Sequence, residues 1–123
     1  MAHLAVRIQN EVAKEYSEIR AAGIDYALLD DTNTLYVDDR LIDKSIQAWF
    51  EYSDRQPARK RLQLALAAGG ELNQHLDSKM WDSAVDDSFR RYAHGPSYMQ
   101  ENGKPVFFWY IEKDVEPLWN DAR

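Results

Sequence analysis

The stretch GKPVFFWYIEKD, residues 103–114, contains six consecutive apolar or aromatic residues inside an otherwise polar and acidic chain. In an extended strand, side chains alternate between faces, so Val106, Phe108 and Tyr110 share one face and Phe107, Trp109 and Ile111 share the other. Both faces are apolar, so we expect each to be buried against another part of the protein or against a second copy. Either helices cover both and the run is a central buried strand, or one face is an interface between two copies of the chain. In the second case the predicted dimer interface is Phe107, Trp109 and Ile111.

The residues just before this run predict a β-hairpin over about 97–111. Asn102 and Gly103 suit a two-residue type I′ turn, which needs positive φ at both positions. That turn sets Glu101 opposite Lys104, a favourable cross-strand pair. The same register pairs Met99 with Val106 and Tyr98 with Phe107.

The first half of the chain predicts a helix, a hairpin and a second helix. Apolar residues recur every three or four positions in 2–22, and Gly23 supplies the left-handed residue that ends the helix. The runs IDYALL and TLYV flank DDTN, which predicts a hairpin over about 24–37. Asp38 and Asp39 can cap the next helix, which is expected over about 40–52.

Two further helices are expected between the hairpins. Residues 54–68 carry Ala58, Leu62, Ala65 and Leu66 at helical spacing, with Pro57 in the first turn. A capping-box pattern begins a shorter helix near residue 83, and HGP at 94–96 ends it. The predicted fold is therefore α+β in one compact domain, residues 1–123, with a small antiparallel sheet built from two hairpins (about 24–37 and 97–111) and packed against about four helices.

The composition excludes several classes of site. The 123 residues include no cysteine, which excludes disulfides, thiolate metal sites and a cysteine nucleophile. Charged residues occur too early for the apolar region of a signal peptide, and the longest apolar run is far shorter than a membrane span. We therefore expect a cytoplasmic protein that has no contact with a membrane.

Motifs for catalysis or cofactor binding are weak. The pair His75 and Asp77 lacks a third metal ligand, and the acidic run DDTNTLYVDD fails the calcium-loop pattern because Tyr36 stands where glycine is needed. No phosphate-binding glycine loop or nucleophile elbow is present. The prediction is no metal, no cofactor and no enzymatic activity, with a small enzyme of unknown reaction as the third alternative.

The charge distribution carries the functional hypothesis. The net charge is −6, and the segment 24–43 holds six Asp against one Arg. Such an acidic lobe can steer a basic partner and raise the association rate and specificity. The predicted activity is stoichiometric protein binding, as by immunity proteins, phage or plasmid inhibitors and adaptors. The expected contact residues are Tyr26, Asp30, Asp31, Tyr36, Asp38, Asp39 and Asp43. A simpler interpretation is that these acids only cap helices and confer solubility.

The second alternative is a nucleic-acid-associated regulator. The stretch RQPARKR, residues 55–61, supplies four bases, Arg55, Arg59, Lys60 and Arg61, which could neutralise phosphates. On a helix the last three would fan over roughly 200° and could not follow one phosphate track. The acidic surroundings would also repel a phosphate backbone, so nucleic acid is the less favoured partner.

Overall fold

The computed structural model describes residues 2–30, 40–69 and 89–110. Over these residues the fold is α+β, with a parallel three-stranded sheet, a small antiparallel two-stranded sheet, and helices packed on one face of the larger sheet. The predicted class is confirmed at this level. The predicted arrangement of the main sheet, antiparallel and built from two hairpins, is wrong.

Helix α1 (Ala2–Ala21) matches its prediction. Its inward face carries Ile8, Val12 and Tyr16, each separated by four residues and each buried. Gly23, whose φ is +80°, follows the end of the helix. The N–H groups of Gly23 and Ile24 donate to the carbonyls of Arg20 and Ile19 at 3.0 and 3.2 Å, which is the Schellman pattern of a helix end.

A strand–helix–strand unit follows. Strand β1 (Tyr26–Asp30) leads through helix α2 (Arg40–Asp54) to strand β2 (Gln63–Gly69), which pairs with β1 in parallel. Parallel neighbours need such a crossover, because a tight turn can join only antiparallel strands. Strand β1 was expected to pair with residues 34–37 in a hairpin, but its partner among the described residues is β2. Residues 34–37 lie outside the described residues.

The predicted helix over 54–68 is wrong. The chain there forms only a short 3₁₀ helix, Ala58–Lys60, and then enters β2. The sequence of β2 is apolar on both faces, which also suits the central strand of a parallel sheet. Leu64, Ala65 and Leu66 are all fully buried, as that position demands.

The C-terminal hairpin is confirmed near its turn. Strands β3 (Gln100–Glu101) and β4 (Lys104–Pro105) are antiparallel, and Asn102 and Gly103 between them have φ of 53° and 75°. The N–H of Val106 donates to the carbonyl of Met99 at 2.9 Å, as the predicted register requires.

Beyond that point the two arms of the hairpin part. Strand β5 (Phe107–Tyr110) pairs with β2 in parallel, and Phe107 stands beside Leu66. Tyr98 instead forms an isolated parallel bridge with Leu64, so the predicted Tyr98–Phe107 pair is wrong. The strand order is β1–β2–β5, and β2, not the aromatic run, is central among the described strands.

Two buried tyrosine hydroxyl groups bond the backbone just before β2 and in its middle. The N–H of Leu62 donates to Tyr16 Oη at 2.7 Å, and Tyr16 Oη donates to the carbonyl of Lys60 at 3.0 Å. In the middle of β2, the N–H of Leu66 donates to Tyr98 Oη at 3.2 Å, and this hydroxyl donates to the carbonyl of Val106 at 2.8 Å. Side chains from α1 and from the segment before β3 therefore add hydrogen bonds to those of the sheet.

The core lies between the helices and the inward face of the sheet. Phe50 of α2 stacks between Tyr92 and Tyr98, with ring centroids 4.3 and 5.8 Å away. Residues 89–92 are helical, and Phe89 meets Tyr98 and Phe107 edge to face. This packing fixes which face of the sheet points inward.

Candidate functional site

The face of the parallel sheet that points away from α1 and α2 is the candidate site. The strand register places Leu28 beside Ala65, and places Asp30, Ala67 and Phe108 in one row across the three strands. We call this surface the outer face. Its described members are Tyr26, Leu28, Asp30, Gln63, Ala65, Ala67 and Phe108.

Large apolar side chains on the outer face are exposed. Tyr26 is 61 % exposed, Leu28 52 % and Phe108 42 %. Between them the central strand carries only the methyl groups of Ala65 and Ala67, which are 0 % and 8 % exposed. Ala65 and Ala67 are therefore closed to solvent, and the exposed apolar surface of the outer face is provided by the flanking strands β1 and β5.

The carboxyl end of β1 adds a negative charge to the outer face. Asp30 is the last residue of β1 and is exposed on the outer face. Ligand sites of open parallel sheets commonly lie at the carboxyl ends of the strands. Among the described residues of the outer face, Asp30 is the only acid and there is no base. The surface is apolar over most of its length and acidic at one end.

The structure places two of the predicted partner-binding residues on this face. Tyr26 and Asp30 are both exposed and lie on the same side of β1. Asp43 lies in α2, but its side chain is outside the described part, as are Asp31, Tyr36, Asp38 and Asp39. The acidic lobe as a whole stays a prediction.

The aromatic run is divided between the two faces as alternation predicts. Phe107 is half-buried and meets Phe89 at a centroid distance of 4.9 Å, on the inward side. Phe108 is the exposed member. The side chain of Trp109 and the whole of Ile111 lie outside the described residues, so the predicted dimer interface that includes them stays a prediction.

Sequence reasoning missed Leu28 and Phe108 as site residues. The signal for Leu28 was present, because Tyr26, Leu28 and Asp30 alternate with Ala27 and Leu29 along β1. Choosing the exposed set required knowing which face the helices cover. That choice depends on the crossover through α2 and not on the strand itself.

The basic stretch 55–61 lies on the turn between α2 and β2. Arg55, Arg59 and Lys60 are exposed. Arg61 is partly buried, and its Nη2 donates to the carbonyl of Gln56 at 2.9 Å. Arg61 therefore holds the turn together, and three of the four predicted bases remain at the surface.

A separate cleft of 440 Å³ lies between α2 and the helical residues 89–92. Glu51, Asp54, Arg91 and Tyr92 contribute to its wall. Asp54 Oδ1 accepts a hydrogen bond of 3.1 Å from the N–H of Ser97, so this carboxylate joins α2 to the turn before β3. A pocket containing a carboxylate and a tyrosine is what the small-enzyme alternative requires, while His75 lies outside the described residues.

The described residues supply neither a metal-binding cluster nor a helical membrane span. Within 2–30, 40–69 and 89–110, no three or more histidine and carboxylate side chains are grouped so that they could hold a metal ion. The helices within these segments lack the length or the hydrophobicity of a membrane span.

Comparison with protein-family models, with curated proteins and with solved structures gave no match to this chain. Its function is therefore inferred from its own geometry.

Proposed function

We propose that this protein is a stoichiometric protein-binding module, of the immunity, inhibitor or adaptor type, whose outer face docks a partner with a basic surface. The observation that supports the proposal is the exposure of Tyr26, Leu28 and Phe108 together on one face of the sheet. Aromatic and apolar residues exposed as a group mark interaction surfaces more often than single exposed residues do.

The size of the surface sets its role in the complex. Fully burying a large apolar side chain is worth about 1.5–3 kcal/mol, so side chains that are already half-buried gain about 1 kcal/mol each. Three such gains, less the cost of association, give only weak binding. A stable complex buries roughly 800 Å² per partner, so the outer face is the centre of a wider contact.

Charge gives the second part of the proposal. Asp30 lies beside the apolar residues, and the chain carries a net charge of −6. A basic partner is attracted over roughly 8–10 Å at physiological salt, so these charges act mainly on the association rate. Reversing Asp30, Asp31, Asp38 and Asp39 to Lys is expected to slow association and weaken its salt dependence. Unchanged binding would show that the acidic lobe does not contribute to partner binding.

Site-specific photo-crosslinking tests the protein-binding function. A photoreactive phenylalanine analogue replaces Leu28, Phe108 or, as the control, Val6, which is 54 % exposed on α1. In cells of the source organism, positions 28 and 108 are expected to give the same protein adduct in one-to-one ratio, with none at position 6. Equal labelling at all three positions would contradict the proposal.

The nucleic-acid alternative has one observation in its favour, since Arg55, Arg59 and Lys60 are exposed on one short turn. A gel shift that weakens with salt and disappears when these three become Ala would support it. Arg61 is left unchanged in this test, because its guanidinium bonds the turn. The absence of a shift at low salt would dismiss the alternative.

A further inference from the structure

We infer that the turn over residues 55–61 is a second docking surface, which binds an acidic peptide segment of a protein. The turn lies between α2 and β2 and outside the outer face, so the inference goes beyond the proposed function. A chain that binds a basic partner on one surface and an acidic segment on another is an adaptor, which joins two proteins.

Three bases of this turn are unpaired in the described part of the chain. Arg55, Arg59 and Lys60 are exposed, and none of their side chains forms an ion pair or a hydrogen bond with a described residue. The turn itself contains no acid, although the whole chain has 21 acids against 15 Lys and Arg. Three neighbouring bases without partners, in a chain with an excess of acids, are available to an anionic ligand.

The acids that precede the turn bind other groups. Glu51 stands four residues before Arg55, which is the spacing of a helical ion pair, but its Oε1 accepts a hydrogen bond of 2.8 Å from Gln47 Nε2. Asp54 Oδ1 accepts the N–H of Ser97 at 3.1 Å. These hydrogen bonds stabilise the fold, and they leave the positive charge of the turn without a neutralising neighbour.

The backbone of the turn is fixed before any ligand binds. Pro57 has a restricted φ, and its carbonyl accepts the N–H of Lys60 at 2.8 Å. The guanidinium of Arg61 donates to the carbonyl of Gln56 at 2.9 Å, and Tyr16 Oη donates to the carbonyl of Lys60 at 3.0 Å. Binding therefore orders only the exposed side chains, which lowers the entropy cost of association.

The spread of the bases favours a flexible peptide over a nucleic acid. Arg59 and Lys60 are consecutive in the 3₁₀ helix, so their side chains leave its axis about 120° apart. Phosphates follow a regular track, whereas Glu and Asp carboxylates lie on rotatable side chains and can reach each base separately. Proteins that bind DNA through charge make about 6–10 phosphate contacts, and this turn offers too few bases for that. The net charge of −6 also repels a long polyanion.

The turn is electrostatically separate from the acidic end of the outer face. Asp30 pairs with Ala67, four residues after Gln63, at which β2 begins. At about 3.3 Å per residue, the bases that precede Gln63 lie at least about 13 Å from Asp30 along the strand direction. The Debye length is about 8 Å at physiological salt, so repulsion between the turn and a basic partner near Asp30 is largely screened.

The test uses a labelled peptide of about eight residues that alternates Glu with Gly or Ser. A second peptide carries Gln in place of each Glu, and an oligonucleotide of the same charge is the third probe. Amide NMR spectra and fluorescence anisotropy follow their binding to the wild-type chain and to two triple variants. One variant removes the unpaired bases of the turn, Arg55→Ala, Arg59→Ala and Lys60→Ala. The control removes three exposed bases elsewhere, Arg7→Ala, Lys14→Ala and Lys104→Ala.

The Glu peptide is expected to shift the amide signals of residues 55–61 and to bind the turn variant about tenfold more weakly than wild type. Three exposed ion pairs are together worth about 1.4 kcal/mol, which corresponds to this factor. The control variant is expected to keep its affinity within about twofold, and the Gln peptide not to bind. Equal losses in the two variants, or no shift at 55–61, overturns the inference. Tighter binding of the oligonucleotide would assign the turn to nucleic acid, which also overturns it.

The outcome is distinct from that of the proposed function. Leu28→Glu, on the outer face, is expected to bind the Glu peptide as wild type does. A loss of peptide binding in Leu28→Glu would place the peptide on the outer face and overturn the second surface. Crosslinks to one protein at positions 28 and 108, without peptide binding, leave the proposed function intact and exclude only the second surface.

Discussion

Replacing Tyr16 by Phe tests how the central strand is held. The Tyr16 side chain is 3 % exposed, and its hydroxyl accepts the N–H of Leu62, which is 0 % exposed, at 2.7 Å. Without the hydroxyl, that N–H has no acceptor and no access to water. The carbonyl of Lys60, which also bonds the hydroxyl, belongs to an exposed residue and can be hydrated instead.

The expected loss of unfolding free energy follows from the difference between the buried N–H of Leu62 and the exposed carbonyl of Lys60. A buried donor left without a partner costs about 1–3 kcal/mol, whereas the carbonyl of Lys60 adds little. We therefore expect Tyr16→Phe to lower the free energy of unfolding by about 2 kcal/mol. For a chain of this size that is a fall of roughly 8 °C in Tm.

Tyr52→Phe is the matched control. The ring of Tyr52 meets that of Tyr16 edge to face at 4.9 Å, and its hydroxyl forms no hydrogen bond among the described residues. Tyr52→Phe also removes a tyrosine hydroxyl oxygen, and we expect it to change the free energy of unfolding by less than about 0.5 kcal/mol. Urea denaturation of the three proteins, with an unchanged m-value, measures the difference. Equal stabilities of the two variants would refute the role assigned to the Tyr16 hydroxyl.

Three other predictions concern stability. Gly103→Ala is expected to cost about 1 kcal/mol by thermal denaturation, because φ at Gly103 is +75° and an L-residue is strained there; an unchanged Tm would contradict this. Burial raises the pKa of Tyr98 from 10.0 to about 12, so its contribution to stability is complete below pH 10 and is lost as pH rises toward 12. Urea titrations at several pH values should therefore show a steeper fall for wild type than for Tyr98→Phe, and parallel curves would exclude it. Arg61→Ala should destabilise by about 1–2 kcal/mol in urea while Arg59→Ala changes little, since only Arg61 bonds the carbonyl of Gln56; equal effects would mean that this bond is not needed.

The elements predicted correctly from sequence are those with local signals. Helix α1 shows its apolar spacing and its terminal Gly23 within one segment, and the turn at Asn102 and Gly103 needs only its own two residues. Helix α2 is likewise set by its apolar face. Each signal lies within a few residues of the structure it specifies, so no knowledge of the remaining fold is needed.

Strand β2 could not be predicted in the same way. Alanine and leucine favour helices, and Leu62, Ala65 and Leu66 repeat at helical spacing. What makes the segment a strand is its position between β1 and β5, whose residues lie far away in the sequence. The outer face could not be predicted for the same reason, since it too depends on residues distant in the sequence. Leu28 is identified as exposed only after the helices are placed on the other side of the sheet.

The order of the strands has a consequence for synthesis on the ribosome. Strand β2 gains one neighbour, β1, from residues made before it, and the other, β5, only when residues 107–110 have been made. The hydroxyl of Tyr98 that bonds Leu66 also arrives late. During elongation the nascent chain therefore carries a helix-backed pair of strands with one unpaired apolar edge. Such an edge is a target for chaperones and for self-association until β5 pairs with it.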